Sequence, residues 1–146
     1  MGDGRTPLTK LVNRLYRCTQ SYANEVLAKY GLGSGTYPFL LTLAIKEGIN
    51  QNQISRELNI DKAMSARAIK RLIQMGYINK EGDKDDIRAF KLFLTDKARA
   101  VIPEVKEELR KWNERITKDL SEAEKNEVLN LLGKILENAQ SCGNKC

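Results

Sequence analysis

Two apolar-periodic segments separated by only a short turn constrain this chain more than any other feature in it. Ile54 and Leu58 lie four apart within about Gln51 to Leu58, a spacing that places both on one helical face. The turn Asn59-Ile60-Asp61 follows. Asp61 is a good N-cap, because its carboxylate can accept from the open amides of the next helix. That helix runs from about Lys62 to Met75, and Gly76 ends it. Two short helices joined by so tight a turn form the core of a helix-turn-helix.

The flanking patterns extend this core in both directions. Upstream, Leu8, Leu11, Val12, Leu15, Ala23, Val26 and Leu27 recur mostly at three- and four-residue spacings, so a long first helix is expected over residues 7–30. Gly31, Gly33 and Gly35 stop it. The run Phe39 to Ile45, between Pro38 and Gly48, has too few polar residues for an exposed helix and belongs at the buried centre. Downstream, Tyr77-Ile78, a charged loop from Lys80 to Asp86, and Phe90 to Thr95 read as two short strands around a polar loop. Two last helices follow. One spans about Asp96 to Lys118, N-capped by Thr95 and interrupted early by Pro103; the other spans about Glu122 to Ala139, opened by the capping box Ser121-x-x-Glu124. The fold class is therefore mostly α, with six helices and one β-hairpin. Only residues 1–6 and the tail from Ser141 to Cys146 look loose.

The 146 residues suit a single core. No window approaches the roughly 18 apolar residues of a membrane span, and the N-terminus lacks the apolar segment of a signal peptide, so the expected location is the cytoplasm, with no membrane partner. The chain contains no histidine, which removes Ser-His-Asp and Cys-His catalysis, His-based acid–base chemistry and every His-containing metal site. Cys18, Cys142 and Cys146 form no CxxC pair, so neither a disulfide framework nor a four-thiolate zinc site is completed, and free thiols are expected. Without a glycine-rich phosphate loop or clustered carboxylates, no reaction can be assembled. The reading is no enzyme, no metal and no cofactor.

Lys and Arg exceed Asp and Glu by 25 to 19, and the net charge of +6 favours a polyanionic partner. At about 100° per residue, Ser65, Ala68, Ile69 and Leu72 fall on one side of the second short helix. Ala63, Arg67, Lys70 and Gln74 fall on the other. After Asp61 no acid occurs until Glu81. A helix entering the DNA major groove needs this mixture: small residues for close approach, Arg or Lys for guanine edges and phosphates, and few acids. On the helix alone, a solvated basic face fits equally well. The hairpin shifts the balance, because it sets Lys80, Lys84, Arg88 and Lys91 on a protruding element directly after the helix, where a wing can reach the minor groove. Asp83, Asp85 and Asp86 argue against a purely electrostatic arm, although an Asp can orient a nearby Arg.

The run Ile60 to Ile78, IDKAMSARAIKRLIQMGYI, resembles the recognition helix of the MarR (multiple-antibiotic-resistance regulator) family with its closing Leu-x-x-x-Gly turn, here Leu72 to Gly76. Asp86-Ile87-Arg88, followed by an apolar strand ending Leu94-Thr95, is similar to the family's wing. The resemblance implies a winged helix-turn-helix over residues 36–95, N- and C-terminal dimerisation helices over 7–30 and 96–139, and one such domain over 1–146. It implies a triangular homodimer straddling a pseudo-palindromic site in double-stranded DNA. Lys62, Ala63, Ala66, Arg67 and Lys70 would face the major groove, with Arg88 as the wing arginine; Lys84 joins these candidates through its place on the basic hairpin. Ile87 departs from the family's usual basic residue, and Ala63 and Ala66 stand where hydroxyl residues are common, which bears on operator sequence and wing contact.

The final helix carries Val128, Leu131, Leu132, Ile135 and Leu136, and the first carries Leu8, Leu11, Val12 and Leu15. These stripes can pack within one subunit, but they offer more apolar surface than a small domain needs, and a homodimer is expected. Many members of the resembled family bind phenolic or aromatic-acid effectors, which implies a repressor released by a small aromatic carboxylate or phenolic ligand. The matching neighbourhood here is Arg14, Arg17, Tyr37, Leu109 and Trp112, with the arginines pairing the carboxylate and Tyr37 holding the ring, although arginines in structural salt bridges or in solvent fit the sequence equally well. Two alternatives stand beside it: an oxidant-sensing regulator using Cys18, and a winged-helix module that binds an acidic protein.

Overall fold

The computed structural model describes residues 6–83 and 86–142, with side chains described over 6–82 and 90–142. The chain divides into two compact units, Met1–Arg110 and Lys111–Cys146. Its elements, in order, are α1 (Leu8–Val26), a 3-10 turn (Ala28–Tyr30), α2 (Tyr37–Ile45), α3 (Gln51–Leu58), α4 (Lys62–Gln74), β1 (Ile78–Asp83), β2 (Asp86–Leu94), α5 (Asp96–Ile116) and α6 (Glu122–Cys142). The six helices and the hairpin agree with the sequence pattern.

In the first unit, the expected helix over 7–30 changes pitch at Leu27. Gly31, at φ +74°, donates to the Ala28 carbonyl at 2.9 Å, and Leu32 N–H reaches back to the Leu27 carbonyl at 3.1 Å. This left-handed closure, which glycine adopts without a Cβ clash, brings Leu27 and Leu32 together in the core. α2 buries Phe39, Leu40 and Leu43 at the centre, with Pro38 in its first turn, where a missing N–H costs nothing. Its last residue, Ile45, departs from that burial and is 88% exposed.

The helix-turn-helix is fixed by caps. Asn50 Oδ1 accepts from Gln53 N–H at 2.9 Å, while Gln53 Oε1 accepts from Asn50 N–H at 2.8 Å, a reciprocal box that opens α3. Asn59 closes α3 in the left-handed region at φ +54°, with Ile60 N–H on the Ser55 carbonyl at 3.0 Å. Asp61 Oδ1 then accepts from Met64 N–H at 2.8 Å and starts α4. α4 ends in the same way: Gly76, at φ +80°, donates to Ile73, and Tyr77 N–H donates to Leu72 at 2.9 Å, with Leu72 and Tyr77 both buried.

β1 and β2 pair antiparallel in the register Ile78↔Leu94, Asn79↔Phe93, Lys80↔Leu92 and Glu81↔Lys91, with an irregularity before Asp83↔Asp86. Within the stretch read as a polar loop over Lys80–Asp86, residues 80–83 and Asp86 are thus strand, because a cross-strand ladder forms whatever the polarity of its outward side chains. The segment after α2 joins this sheet: Gly48 N–H donates to the Leu92 carbonyl at 2.8 Å, and Leu92 N–H to that of Ile49 at 3.0 Å. Thr95 Oγ1 accepts from Ala98 N–H at 3.2 Å, the expected N-cap of α5. Pro103 does not interrupt α5. It costs one backbone bond, and the burial of Val101, Ile102 and Val105 on either side holds the helical path.

The second unit comprises the last turns of α5 and all of α6. Ser121 Oγ accepts from Glu124 N–H at 3.1 Å and Glu124 Oε1 from Ser121 N–H at 2.9 Å, the expected capping box. These bonds to Ser121 hold the Glu124 carboxyl below its ordinary pKa. Val128, Leu131, Leu132, Ile135 and Leu136 are all exposed. The expectation of free thiols holds for Cys18, exposed on α1, but not for Cys142 at the end of α6, which is disulfide-bonded. A cysteine at a helix terminus can pair without a multi-bridge framework around it.

Candidate nucleic-acid interface

The amphipathic pattern of α4 divides as its wheel requires. Ser65, Ala68, Ile69 and Leu72 are buried, and Lys62, Ala63, Ala66, Arg67, Lys70, Arg71 and Gln74 are exposed. The five α4 residues expected to face DNA therefore share one solvent-facing surface. With no acid on that helix, positive charge there is not cancelled locally. Lys84 lies outside the described residues, and Arg88 sits in β2 with its side chain outside them.

Two contributors are not visible in the sequence pattern. Met64, in the first turn of α4, is 51% exposed although apolar, and adds hydrocarbon to the polar face. The other is a groove of about 660 Å3 between α4, the start of α3 and the hairpin root. Ile69, Ile73, Phe90 and Leu92 contribute its apolar wall, and among the described lining residues Lys70 and Lys80 carry charge and none is an acid. Lys80 Nζ stands 3.9 Å from the Phe90 ring centroid, so its charge is held by the ring face rather than left to wander. The Asn50-x-x-Gln53 spacing that shapes the α3 side of this groove has the form of a capping box and is legible in sequence. The groove itself is not, because it depends on how the hairpin packs.

The end of α4 is tied into the domain by named bonds. Lys97 Nζ donates to the Met75 carbonyl at 2.7 Å and lies 4.5 Å from the Tyr77 ring centroid, and Thr95 Oγ1 donates to the Gly76 carbonyl at 2.6 Å. Tyr77 OH donates to the Tyr30 carbonyl at 2.6 Å, and burial raises its pKa. Helix α4 and the hairpin are thereby anchored on the first turn of α5.

The residues assigned to an effector are distributed as follows. Arg14 and Arg17 are exposed on α1, Tyr37 is half-buried at the start of α2, and Leu109 packs against the core. Burial first, and Tyr16 second, push the Tyr37 phenol above its ordinary pKa, so Tyr16 on α1 faces this neighbourhood as well. Trp112 belongs to the second unit, where the Arg115 guanidinium lies 6.0 Å from its ring centroid. Among the described residues, no group of three or more Cys, Asp or Glu is placed to hold a metal ion, and no helix is long and apolar enough to cross a membrane.

Comparison with known proteins places this architecture. The MarR family model matches residues 36–90, from the turn before α2 to the middle of β2. The HTH-type transcriptional regulator BilQ of Clostridioides difficile (strain CD3) is 34% identical over 122 residues, covering 84% of this chain and 82% of that protein. A MarR transcriptional regulator from Methanosarcina mazei Go1 superposes with a TM-score of 0.87 at 35% identity, over 92% of this chain and 96% of that one.

The chain belongs to the MarR family. It is a transcriptional regulator with a winged helix-turn-helix rather than an enzyme, and in MarR-family terms α4 is its recognition helix and the hairpin its wing. A MarR-family regulator from Listeria monocytogenes, solved in complex with a 26mer DNA, superposes with a TM-score of 0.86 at 28% identity over 92% of this chain and 89% of that one.

Proposed function

We propose that this MarR-family regulator is a cytoplasmic homodimeric repressor that occupies a pseudo-palindromic operator and is released by a small aromatic carboxylate or phenol. The observation that carries the DNA half is the acid-free exposed face of α4, bearing Lys62, Arg67 and Lys70 beside a wing root that holds Lys80. Ala63 and Ala66 let the helix backbone approach base edges, Arg67 and Lys70 reach guanine edges and phosphates, and Lys84 and Arg88 on the wing address the minor groove. The Listeria relative in complex with DNA supports the same reading.

Dimerisation is supported by the apolar stripes of α1 and α6, which stay exposed in the single chain. Two-fold symmetry then sets two recognition helices roughly 34 Å apart, one DNA turn. For the effector, Arg14 and Arg17 supply guanidiniums for a carboxylate, and Tyr37 with Leu109 supplies ring contacts. An effector can release the repressor only by favouring a domain separation that misfits the half-sites.

The deciding experiment is a gel-shift titration against the DNA upstream of the protein's own gene, with Arg67→Ala and Arg88→Ala as controls and salt varied. Tight binding that survives competitor DNA and weakens in both variants supports the reading. Weak binding indifferent to sequence and salt overturns it and favours an acidic protein partner. An aromatic acid that at saturation shifts neither melting temperature nor operator affinity removes the effector half alone.

A further inference from the structure

The root of the wing is held by two side chains from outside the hairpin. Leu94, the last residue of β2, donates its N–H to Glu47 Oε1 at 2.8 Å and accepts from Arg99 Nη1 on its carbonyl at 3.0 Å. Arg99 Nη2 closes the ring on Glu47, at 2.9 Å to Oε1 and 3.0 Å to Oε2. Asp96 adds a longer contact to Arg99 at 3.8 Å. Glu47 lies just beyond α2, next to Gly48, whose N–H also bonds β2; Arg99 lies in the first turn of α5, beside the groups that anchor α4.

We infer that Glu47 and Arg99 are positioning residues for DNA binding, which set the angle of the wing against the recognition helix. The inference rests on the reading of the hairpin as a DNA-contacting wing. Magnitudes favour geometry over stability. The pair is partly solvated, with 51% and 34% of the Arg99 and Glu47 side chains exposed, so its charge attraction adds little to folding. Its leverage is large by contrast. The nine residues of β2, at about 3.3 Å each, put the tip roughly 26 Å from Leu94, so a tilt of about 10° at the root moves the tip by about 4.5 Å, beyond hydrogen-bond reach. The arrangement also has a polarity: position 47 must offer an acceptor to Leu94 N–H, and position 99 a donor to its carbonyl.

The test uses the full chain with Glu47→Gln, Glu47→Met, Arg99→Met and the swapped pair Glu47→Arg with Arg99→Glu. Amide hydrogen exchange needs no DNA. Glu47→Met and Arg99→Met are expected to speed exchange at Leu94 and along the hairpin by about tenfold while α3 and α4 keep their protection. Glu47→Gln, which retains the acceptor, should change little, and the swapped pair should not restore protection. In operator titrations Glu47→Met should cost about tenfold alone and on an Arg67→Ala background, but no more than about twofold once Arg88→Ala has removed the wing arginine. Hairpin exchange unchanged in both methionine variants, rescue by the swapped pair, or equal losses on the two backgrounds would each overturn the inference. If the unmodified protein shows no preference for its operator, the DNA reading fails separately, and the exchange measurements still decide whether the pair holds the wing.

Discussion

Lys80 places its ammonium 3.9 Å from the centre of the Phe90 ring, across the two strands of the hairpin. The ring fixes a positive charge at the edge of the groove beside α4, and the proposed DNA reading puts a phosphate of the duplex within its reach. Lys80→Gln is therefore expected to weaken duplex binding by a similar factor on every sequence. The slope of log K against log salt should become shallower by about one for each phosphate that the lysine neutralises. Titrations at several salt concentrations check this, and an unchanged slope would show that the lysine faces solvent in the complex.

Arg67 should behave differently, because it projects from the middle of the exposed face of α4. Arg67→Ala is expected to cost about 1–3 kcal/mol on the preferred operator and less on random DNA, relaxing specificity at one base position of each half-site. Binding-site selection with the variant and the unmodified protein reads that position directly. Equal losses on operator and random duplex would move Arg67 from base recognition to phosphate contact.

How much of the fold and the interface is legible in the sequence follows the range of each interaction. Caps and periodicity are local, so the Asp61, Thr95 and Ser121 caps and the buried face Ser65, Ala68, Ile69 and Leu72 can be read from spacing alone. The change of pitch before Gly31 is hidden, because helical periodicity continues through Leu27 while the hydrogen bonding changes. Pro103 suggests a break on propensity alone, and only the core on either side of it overrides that preference. The Phe90–Lys80 contact and the bonds from Lys97 to Met75 and Tyr77 to Tyr30 join residues distant in sequence or register, and no local pattern announces them.

Ser65 is fully buried in α4, and its Oγ has no hydrogen-bond partner among the described residues. A buried hydroxyl left unpaired carries its desolvation cost without recompense, so Ser65→Ala should stabilise the fold by about 1 kcal/mol and raise the melting temperature by roughly 3 °C. Duplex affinity should not change, since the side chain points away from the exposed face. A lower melting temperature would reveal a bonded hydroxyl, for instance to an enclosed water.

Tyr30, at the end of the 3-10 turn after α1, donates its phenol to the Glu104 carboxylate of α5, and its pKa is pushed up from 10.0 to about 12. That hydrogen bond is the largest cause, followed by burial and the negative charges of Glu104 and Glu108. The shift fixes the sign of a pH effect. A phenol whose pKa is higher in the folded state favours folding while it is protonated, so its contribution is complete below the unfolded pKa of about 10 and vanishes as pH rises through the folded value. Tyr30→Phe removes the donor but leaves the backbone carbonyl that Tyr77 uses. The melting temperature of the variant should lie below that of the unmodified protein by a constant margin up to about pH 10, with the margin closing as pH approaches about 12. Thermal melts of both proteins at intervals across this range provide the measurement. A margin that stays constant through about pH 11.5, or is absent at neutral pH, would mean that the contact between Tyr30 and Glu104 does not help hold the end of α1 against α5.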